Sequence, residues 1–342
     1  MTTASTTGTP RTVYWSDYDL ASPPPRTSDS YVRFVVLADT HSTEPAQVPD
    51  GDVLLHAGDL TALGSDDEMI KQVRWIQTLP HAKKVIIAGN HDFSACSEMW
   101  YETRGRDLHA RYDYPPSDTS RVRQLLENLP PDVVYLDNDQ ASFNVDRQGV
   151  SHKTWKVWGS PWSPYFGGWA WNYRAGEEAK KVHAGIPRDT DILLTHSPPH
   201  AIGGLDKIDD GTSVGCAELT RKLLHDNEVR PRIHAFGHIH EARGVYHHRY
   251  DLGGGDETVF VNAAMVEFES QKGATVEKCE CDLRQGDGNR RQMTLTDWPL
   301  RLACLPAPLQ SCTISSTSES SSVEVVYARY VEIVLTSVRY YP

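Results

Sequence analysis

The chain has 342 residues, with 34 basic against 46 acidic side chains and a formal net charge of −12. That length holds one α/β domain with extensions, or two small domains, and is enough to bury a large core. An acidic balance supplies no field for a nucleic-acid polymer or an anionic membrane surface, so neither is an expected partner. Six cysteines (Cys96, Cys216, Cys279, Cys281, Cys304 and Cys312) lack the spacing of a disulfide scaffold, and Cys279 and Cys281 stand too close for an ordinary zinc knuckle; all six read as reduced thiols. With no apolar signal region and no stretch of about 18 apolar residues, the expectation is a soluble, cytoplasmic protein.

In chain order, residues 1–30, with the run SPPPRTS, read as a flexible polar lead-in, because clustered proline and serine neither pair in sheets nor build a core. From Tyr31 onward short β-branched runs recur with turn signals behind them. RFVVLA, DVLLHA, KVIIA, VVYL, KVWGS, DILLT, RIHAF and TVFVNAA read as buried strands. Between several of them lie SDDEMIKQVRWIQTL, TSRVRQLLENL, RAGEEAKKVHAG and SVGCAELTRKLLHDNEV, whose apolar residues recur at the three- and four-residue spacing of amphipathic helices. Ser65 with Glu68 makes a capping box at the head of the first. This alternation predicts an α/β domain over 31–273. Residues 274–342 read as a C-terminal extension. Its serine-rich end beyond Trp298 reads as a poorly ordered tail, with a packed terminal strand as the alternative.

The chemistry lies at the strand ends. Asp39-Thr40-His41 follows FVVLA, Gly58-Asp59 follows VLLHA, Gly89-Asn90-His91-Asp92 follows VIIA, His196 follows ILLT, and His238-Ile239-His240 follows HAF. The last pair places two imidazoles at i and i+2, on one face of an extended segment. By chance alone 15 histidines in 342 residues would give about 0.7 such pairs, so the pair by itself is weak. Five ends in succession are stronger, because an open α/β sheet presents its strand ends to one shared crevice. Carboxylates, imidazoles and one carboxamide suit two divalent transition ions such as Mn, Fe or Zn better than Ca, which prefers oxygen shells. Asp39 and His41 can grip one ion, and Asp59, on its tight corner, can bridge two. Asn90 and His196 can complete the second site, with His238 and His240 serving different ions. A metal pair of this kind clamps a phosphoryl group.

Together, Asp39-x-His41, Gly58-Asp59, Gly89-Asn90-His91-Asp92, His196 and Gly237-His238-x-His240 resemble the signature of the calcineurin-like metallophosphoesterases, over about residues 31–270. LADTHS, GDVLLHAGDLT, GSPWSPYFGGWAWN and LLTHSPP are similar to the small metallophosphoesterase-domain group, with its animal brain-expressed members and its fungal and bacterial relatives. The resemblance implies a four-layer αββα sandwich of two mixed β-sheets flanked by helices, and metal-dependent phosphoester hydrolysis. It further implies one ion held by Asp39, His41, Asp59 and His240, and another held by Asp59, Asn90, His196 and His238. Residues 299–342 fall outside it.

His91 is placed to donate a proton to a departing alkoxide, with Asp92 expected to favour its protonated form and fix its orientation. Other polar residues have plainer readings: His56, within its strand, as a hydrogen-bonded core residue; His247 and His248 as part of a surface edge strand; Leu205 to Gly211 (LDKIDDG) as a solvated loop near the mouth. The aromatic run Trp162, Tyr165, Phe166, Trp169 and Trp171 is either a wall that stacks on a base or a loop packed over the sheet. The leading function is a phosphodiesterase for small soluble phosphodiesters such as cyclic nucleotides. A phosphomonoesterase or protein phosphatase is the second reading, weakened because no arginine adjoins Asn90-His91-Asp92 and because Asp follows His91 where the protein phosphatase group has Glu. A low-activity, nucleotide-binding metal scaffold is the third, against which stands a motif set with no position lost. A small phosphoester is the expected partner, and the sequence carries no signal of oligomeric state.

Overall fold

Alternate residues along each central strand face two different cores, and this alternation stacks the chain in layers. The computed structural model describes residues 12–16, 18–19, 22–148, 154–226, 228–250, 256–265, 281–283, 291–293 and 331–335. Two six-stranded sheets form. The first runs β1 (Thr12–Trp15), β16 (Val331–Leu335), β2 (Val32–Leu37), β3 (Val53–Ala57), β4 (Lys83–Ile87) and β5 (Val133–Leu136), parallel throughout. The second runs β12 (Gly244–Arg249), β13 (Glu257–Asn262), β11 (Ile233–Phe236), β10 (Ile192–Thr195), β7 (Thr154–Ser160) and β6 (Asp139–Asn144). It is mixed, parallel at its centre and antiparallel at both edges. A short parallel pair, β8 (Ser163–Pro164) with β9 (Asn172–Tyr173), shapes the loop after β7.

Val32, Phe34 and Val36 of β2 share a core with Ile192 and Leu194 of β10 and Val259 and Val261 of β13, so the two sheets lie face to face. The intervening Val35 and Leu37 turn the other way, onto Met69, Val73 and Ile76 of α1 (Asp66–Thr78). Beyond it, α2 (Glu98–Trp100), a π-helical turn Tyr101–Gly105 and α3 (Arg106–Arg111) run on as one helical stretch that the apolar periodicity does not reveal. Val122 of α4 (Thr119–Glu127) joins the α1 layer. On the far face of the second sheet, Leu193, Phe236 and Phe260 pack on Ala179 of α5 (Glu177–Ala184) and Leu219 of α6 (Ala217–Thr220). Helix, sheet, sheet and helix make the expected four layers. Burying a Leu, Ile or Phe side chain stabilises by about 1.5–3 kcal/mol, and the largest of the buried clusters sits between the sheets. Ser65 caps α1 as expected: Glu68 N–H donates to its hydroxyl at 3.2 Å, and its own N–H donates to the Glu68 carboxylate at 3.0 Å.

The ends of the chain differ from the sequence expectation. Thr12–Trp15, inside the expected lead-in, is a strand paired with Val331–Leu335, inside the expected tail. Val331–Leu335 also pairs with β2. VEIVL is rich in β-branched residues, and Ile333, Val334 and Leu335 are fully buried between β1 and β2. Nor is 274–342 one continuous extension. Ala328–Pro342 groups with Met1–Glu267, while Phe268–Tyr327 forms a separate unit, in which β14 (Cys281–Leu283) and β15 (Arg291–Met293) pair antiparallel. The serine tract lies outside the described residues. Cys96 and Cys216 are free thiols. Among the described residues no helix is long and apolar enough to cross a membrane.

Replacing Ile333 with Ala should destabilise the protein by about 2–5 kcal/mol in urea unfolding, as for other fully buried aliphatic truncations. A loss below about 0.5 kcal/mol, the level of a neutral surface change, would place the C-terminal strand outside the sheet.

Candidate metal centre

Parallel strands deliver their C-terminal ends to one edge of each sheet, and the facing sheets bring those edges together. The chain leaves the strands through strained backbone. Asp39, His41, Asp59 and His238 have positive φ of 56°, 43°, 53° and 69°. For non-glycine residues this costs on the order of 1–3 kcal/mol each, and it persists only where surrounding contacts enforce it. Here Asp39 N–H donates to Gly58 O at 2.9 Å and His41 N–H to Asp59 O at 3.1 Å, locking the turns after β2 and β3 to each other. Two glycines then let backbone approach carboxylate. A Cβ on Gly237 would lie 1.9 Å from Asp39 Oδ2, and one on Gly89 would lie 2.3 Å from Asp59 Oδ1.

Backbone carbonyls aim the imidazoles. Nδ1–H of His41 donates to Thr61 O at 3.2 Å, that of His196 to Ala57 O at 3.0 Å, and that of His91 to Ala62 O at 2.5 Å. Each bond fixes the tautomer and turns Nε2 away from its anchor, the device that orients metal-binding histidines. His196 Nε2 lies 2.9 Å from Asn90 Oδ1 and 3.3 Å from Asp59 Oδ2. His41 Nε2 lies 3.3 Å from His240 Nε2 and 3.9 Å from Asp59 Oδ2. His240 Nε2 is 3.3 Å from Asp39 Oδ1, and both Asp39 oxygens accept from His238 N–H at 3.0 Å. His91 N–H occupies Asp59 Oδ1 at 2.8 Å, leaving Oδ2 between the rings of His41 and His196. Three donor groups result: Asp39, His41 and His240; Asp59, His196 and His238; and His41, Asp59 and His91, each with its ligand atoms within 4.8 Å of one another.

Charge explains why the cluster fits cations. Asp39 and Asp59 are buried, and burial pushes both carboxyls up. The opposing effects win: the His240 hydrogen bond and the charges of His240 and His196 hold Asp39 below its usual range, while the charges of His196 and His91 hold Asp59 well below. In return, burial disfavours a proton on His196, yet Asp59 overrides it and raises that ring to about 9. His240 is raised in the same way by Asp39. Burial, then the charge of a neighbouring histidine, lowers His41 to about 4 and His238 to about 3. Two ionised carboxylates in the interior demand positive charge beside them. Divalent ions meet that demand, and imidazole, carboxylate and carboxamide donors without thiolate match a divalent transition metal. All seven predicted ligands come together here.

Asp92 requires a correction. It does not orient His91; its carboxylate accepts from the backbone of Leu60, Thr61 and Gly89 and from the Thr61 hydroxyl. Asp92 therefore ties the turn after β3 to the turn after β4, while Ala62 holds the His91 ring. Burial, with the charge of Asp59 second, pushes its carboxyl up to about 7. Thr61 and Ala62 escaped sequence reasoning because their carbonyls, not their side chains, do the positioning. His56 is a core residue bonded to Thr40 Oγ1 at 3.0 Å, and His247 and His248 lie on the edge strand β12. LDKIDDG is only partly solvated: Asp206 is fully buried and accepts from Ala201 and Gly215 N–H, which shapes the loop. The aromatic run divides. Trp171 is buried, Tyr165 and Phe166 are exposed, and Trp169 lies against His91 with ring centroids 4.3 Å apart.

Comparison with known proteins points the same way. The model of the calcineurin-like phosphoesterase family matches residues 32–242, a span that contains every donor named above. Human metallophosphoesterase domain-containing protein 1 is 37% identical over 236 residues, covering 67% of this chain and 65% of that protein. A UPF0046 protein of Caenorhabditis elegans is 31% identical over 246 residues, covering 70% of this chain and 78% of its own length. Probable rhamnogalacturonate lyase C of Emericella nidulans is 38% identical over 219 residues, covering 64% of this chain but 18% of that protein. The chain thus spans about two thirds of the human relative's length.

Gly237→Ala should displace Asp39 and weaken Mn binding in isothermal titration calorimetry by at least about tenfold, the scale of losing a well-placed supporting contact. Unchanged affinity would mean that Asp39 does not hold a metal.

Proposed function

The chain belongs to the calcineurin-like phosphoesterase family, and from that premise we propose that it is a metal-dependent phosphodiesterase acting on small soluble phosphodiesters such as cyclic nucleotides. Asp39, His41, Asp59 and His240 would hold one divalent ion, and Asp59, Asn90, His196 and His238 the other, with Mn, Fe and Zn as the candidates. When bound, such a pair activates water as a nucleophile and neutralises phosphoryl charge. Asp59 can serve both positions because His91 N–H engages only one of its oxygens.

His91 carries the proton. Its Nδ1–H is committed to Ala62 O, so the acid form bears its second proton on Nε2, which is free of that anchor. The ring is half-buried, open enough for a leaving oxygen to reach it. Donation from a positioned acid contributes about 10²- to 10⁴-fold in rate.

One observation carries the preference for diesters. The side chains that face Asp39 and Asp59 are the imidazoles of His41, His196 and His240. Arg243, close in sequence to His240, donates to Ala263 and Ala264 carbonyls at 3.2 Å. A monoester dianion is commonly gripped by a bidentate arginine fork, whereas a monoanionic diester needs less charge. The net charge of −12 disfavours a polynucleotide substrate, and the free thiols Cys96 and Cys216 suit a reducing, cytoplasmic setting.

Initial rates on bis-p-nitrophenyl phosphate and p-nitrophenyl phosphate test the reading. The diester should be preferred, its hydrolysis lost on chelation and restored by Mn; preference for the monoester, or activity that survives chelation, would overturn it. His91→Ala should keep its metals and lose about 10²- to 10⁴-fold in kcat on an alkyl diester, whose alkoxide needs a proton, and much less on the p-nitrophenyl ester. Full turnover of the alkyl diester would remove His91 from this role.

A further inference from the structure

A histidine outside the metal centre, His109 of α3, is fully buried and reaches the turn that anchors His91. Its Nε2 lies 2.6 Å from Leu63 O, and its Nδ1 lies 2.8 Å from the Tyr101 hydroxyl. That hydroxyl also accepts from Ser117 N–H at 2.6 Å. The protons of this series run one way. A backbone N–H only donates, so the Tyr101 O–H is left for His109 Nδ1; a carbonyl only accepts, so the proton of the neutral ring sits on Nε2 and is given to Leu63 O. Burial pulls the ring below its usual value, so Nδ1 stays free to accept.

Helix geometry brings the two side chains together. Residues eight apart in an α-helix are turned about 80° from one another, since each residue advances by about 100°. The π-helical turn Tyr101–Gly105 absorbs one extra residue, with Arg106 N–H bonding back to Tyr101 O, and so returns His109 toward the face of Tyr101. Turns of this kind recur at functional sites.

Leu63 follows Ala62, whose carbonyl accepts from His91 Nδ1–H at 2.5 Å. The Ala62–Leu63 peptide that carries this carbonyl is fixed on both sides: Ala62 N–H donates to Ser42 Oγ at 3.0 Å, and Leu63 O is held by His109. Beyond it Gly64 takes a left-handed φ of 70°, and a Cβ there would lie 2.4 Å from His91 O. The loop thus lies on the backbone of the residue whose ring it aims. His109 itself packs on the rings of Phe93, Tyr101 and Tyr114, so its route to His91 is the backbone.

We propose that His109, set by Tyr101, is a positioning residue for the proton donor: by holding Leu63 O it fixes the Ala62 carbonyl, and with it the direction of His91 Nε2. Its effect on the rate rests on the acid role proposed for His91, whereas its effect on the ring does not.

Two substitutions in the Mn-loaded full chain separate positioning from packing. His109→Leu keeps apolar volume and removes the donor, while His109→Gln puts an amide N–H close to the position of Nε2. His109→Leu should lower kcat on 3′,5′-cyclic AMP, whose departing ribose oxygen needs a proton, by about 10- to 100-fold with KM and metal content unchanged. On bis-p-nitrophenyl phosphate the loss should be less than about threefold, because that leaving group departs without one. His109→Gln should recover most of the rate. Tyr101→Phe, which keeps the ring and removes the hydroxyl, should show a smaller loss of the same selective kind, and carries the test if His109→Leu fails to fold. Equal losses on both esters, no loss on the cyclic ester, or a Gln variant as slow as the Leu variant would overturn the assignment and leave the phosphodiesterase in place. NMR reads the ring without turnover: the Nδ1–H resonance of His91, identified by its absence in His91→Ala, should broaden or shift in His109→Leu and return in His109→Gln. A resonance that His109→Leu leaves unchanged, or that the wild type lacks, would overturn the assignment whatever the rates. Hydrolysis of neither ester by the wild type, with the resonance responding as expected, would sink the phosphodiesterase and leave His109 as the anchor of the His91 ring.

Discussion

Two carboxylates, Asp39 and Asp59, are buried and ionised within one cluster of imidazoles, and this arrangement shapes much of the molecule. Isolated, either would abandon its charge on burial. Held together, they require compensating positive charge, and the surrounding groups are arranged to supply it or to host it. Asp59 raises the His196 ring to about 9 and Asp39 raises that of His240, so both imidazoles are drawn toward the charge these carboxylates need. The left-handed turns at Asp39 and Asp59 follow from the same requirement, since only a sharp reversal after each strand swings its carboxylate into the crevice instead of along the sheet. Gly237 and Gly89 stand where any side chain would collide with those carboxylates. The stiff core between the sheets allows such strain to be kept, because the strands that carry the turns have no alternative packing.

Much of this was legible in the sequence. A buried parallel strand ends abruptly in polar residues, so Asp39, Asp59, Asn90, His196 and His238 stood out as strand-end side chains of ligand type. Helices α1, α4, α5 and α6 were legible from apolar spacing, and α1 also from its capping box, whereas the helical stretch Glu98–Arg111 was not. What escaped was carried by the backbone or by context. The carbonyls of Thr61, Ala62 and Ala57 aim the rings, yet any residue has a carbonyl. Asp92 sits next to His91 in sequence but faces away from its ring and binds the turns, because adjacent residues in a tight turn diverge. Asp206 was one acid among several, and only its amide partners set it apart. The strand Val331–Leu335 reads as β-prone, but its pairing with β1 joins segments more than 300 residues apart in sequence, which periodicity cannot report.

The aromatic segment after β7 reaches the candidate metal centre through Trp169. Its members differ in burial. Trp162 and Trp171 pack inward, Tyr165 and Phe166 are exposed, and Trp169 lies against His91. A metal pair binds phosphoryl groups with little regard for what they carry, so selectivity has to come from surfaces around it.

The central claim is that one carboxylate, Asp59, serves two cations at once. Elemental analysis of the Mn-loaded full chain, set beside the same analysis of Asp59→Asn, tests it most directly. The account predicts about two ions per chain in the wild-type protein and loss of at least one when the shared carboxylate becomes an amide. Two ions retained in Asp59→Asn, or none bound by the wild-type chain, would contradict it.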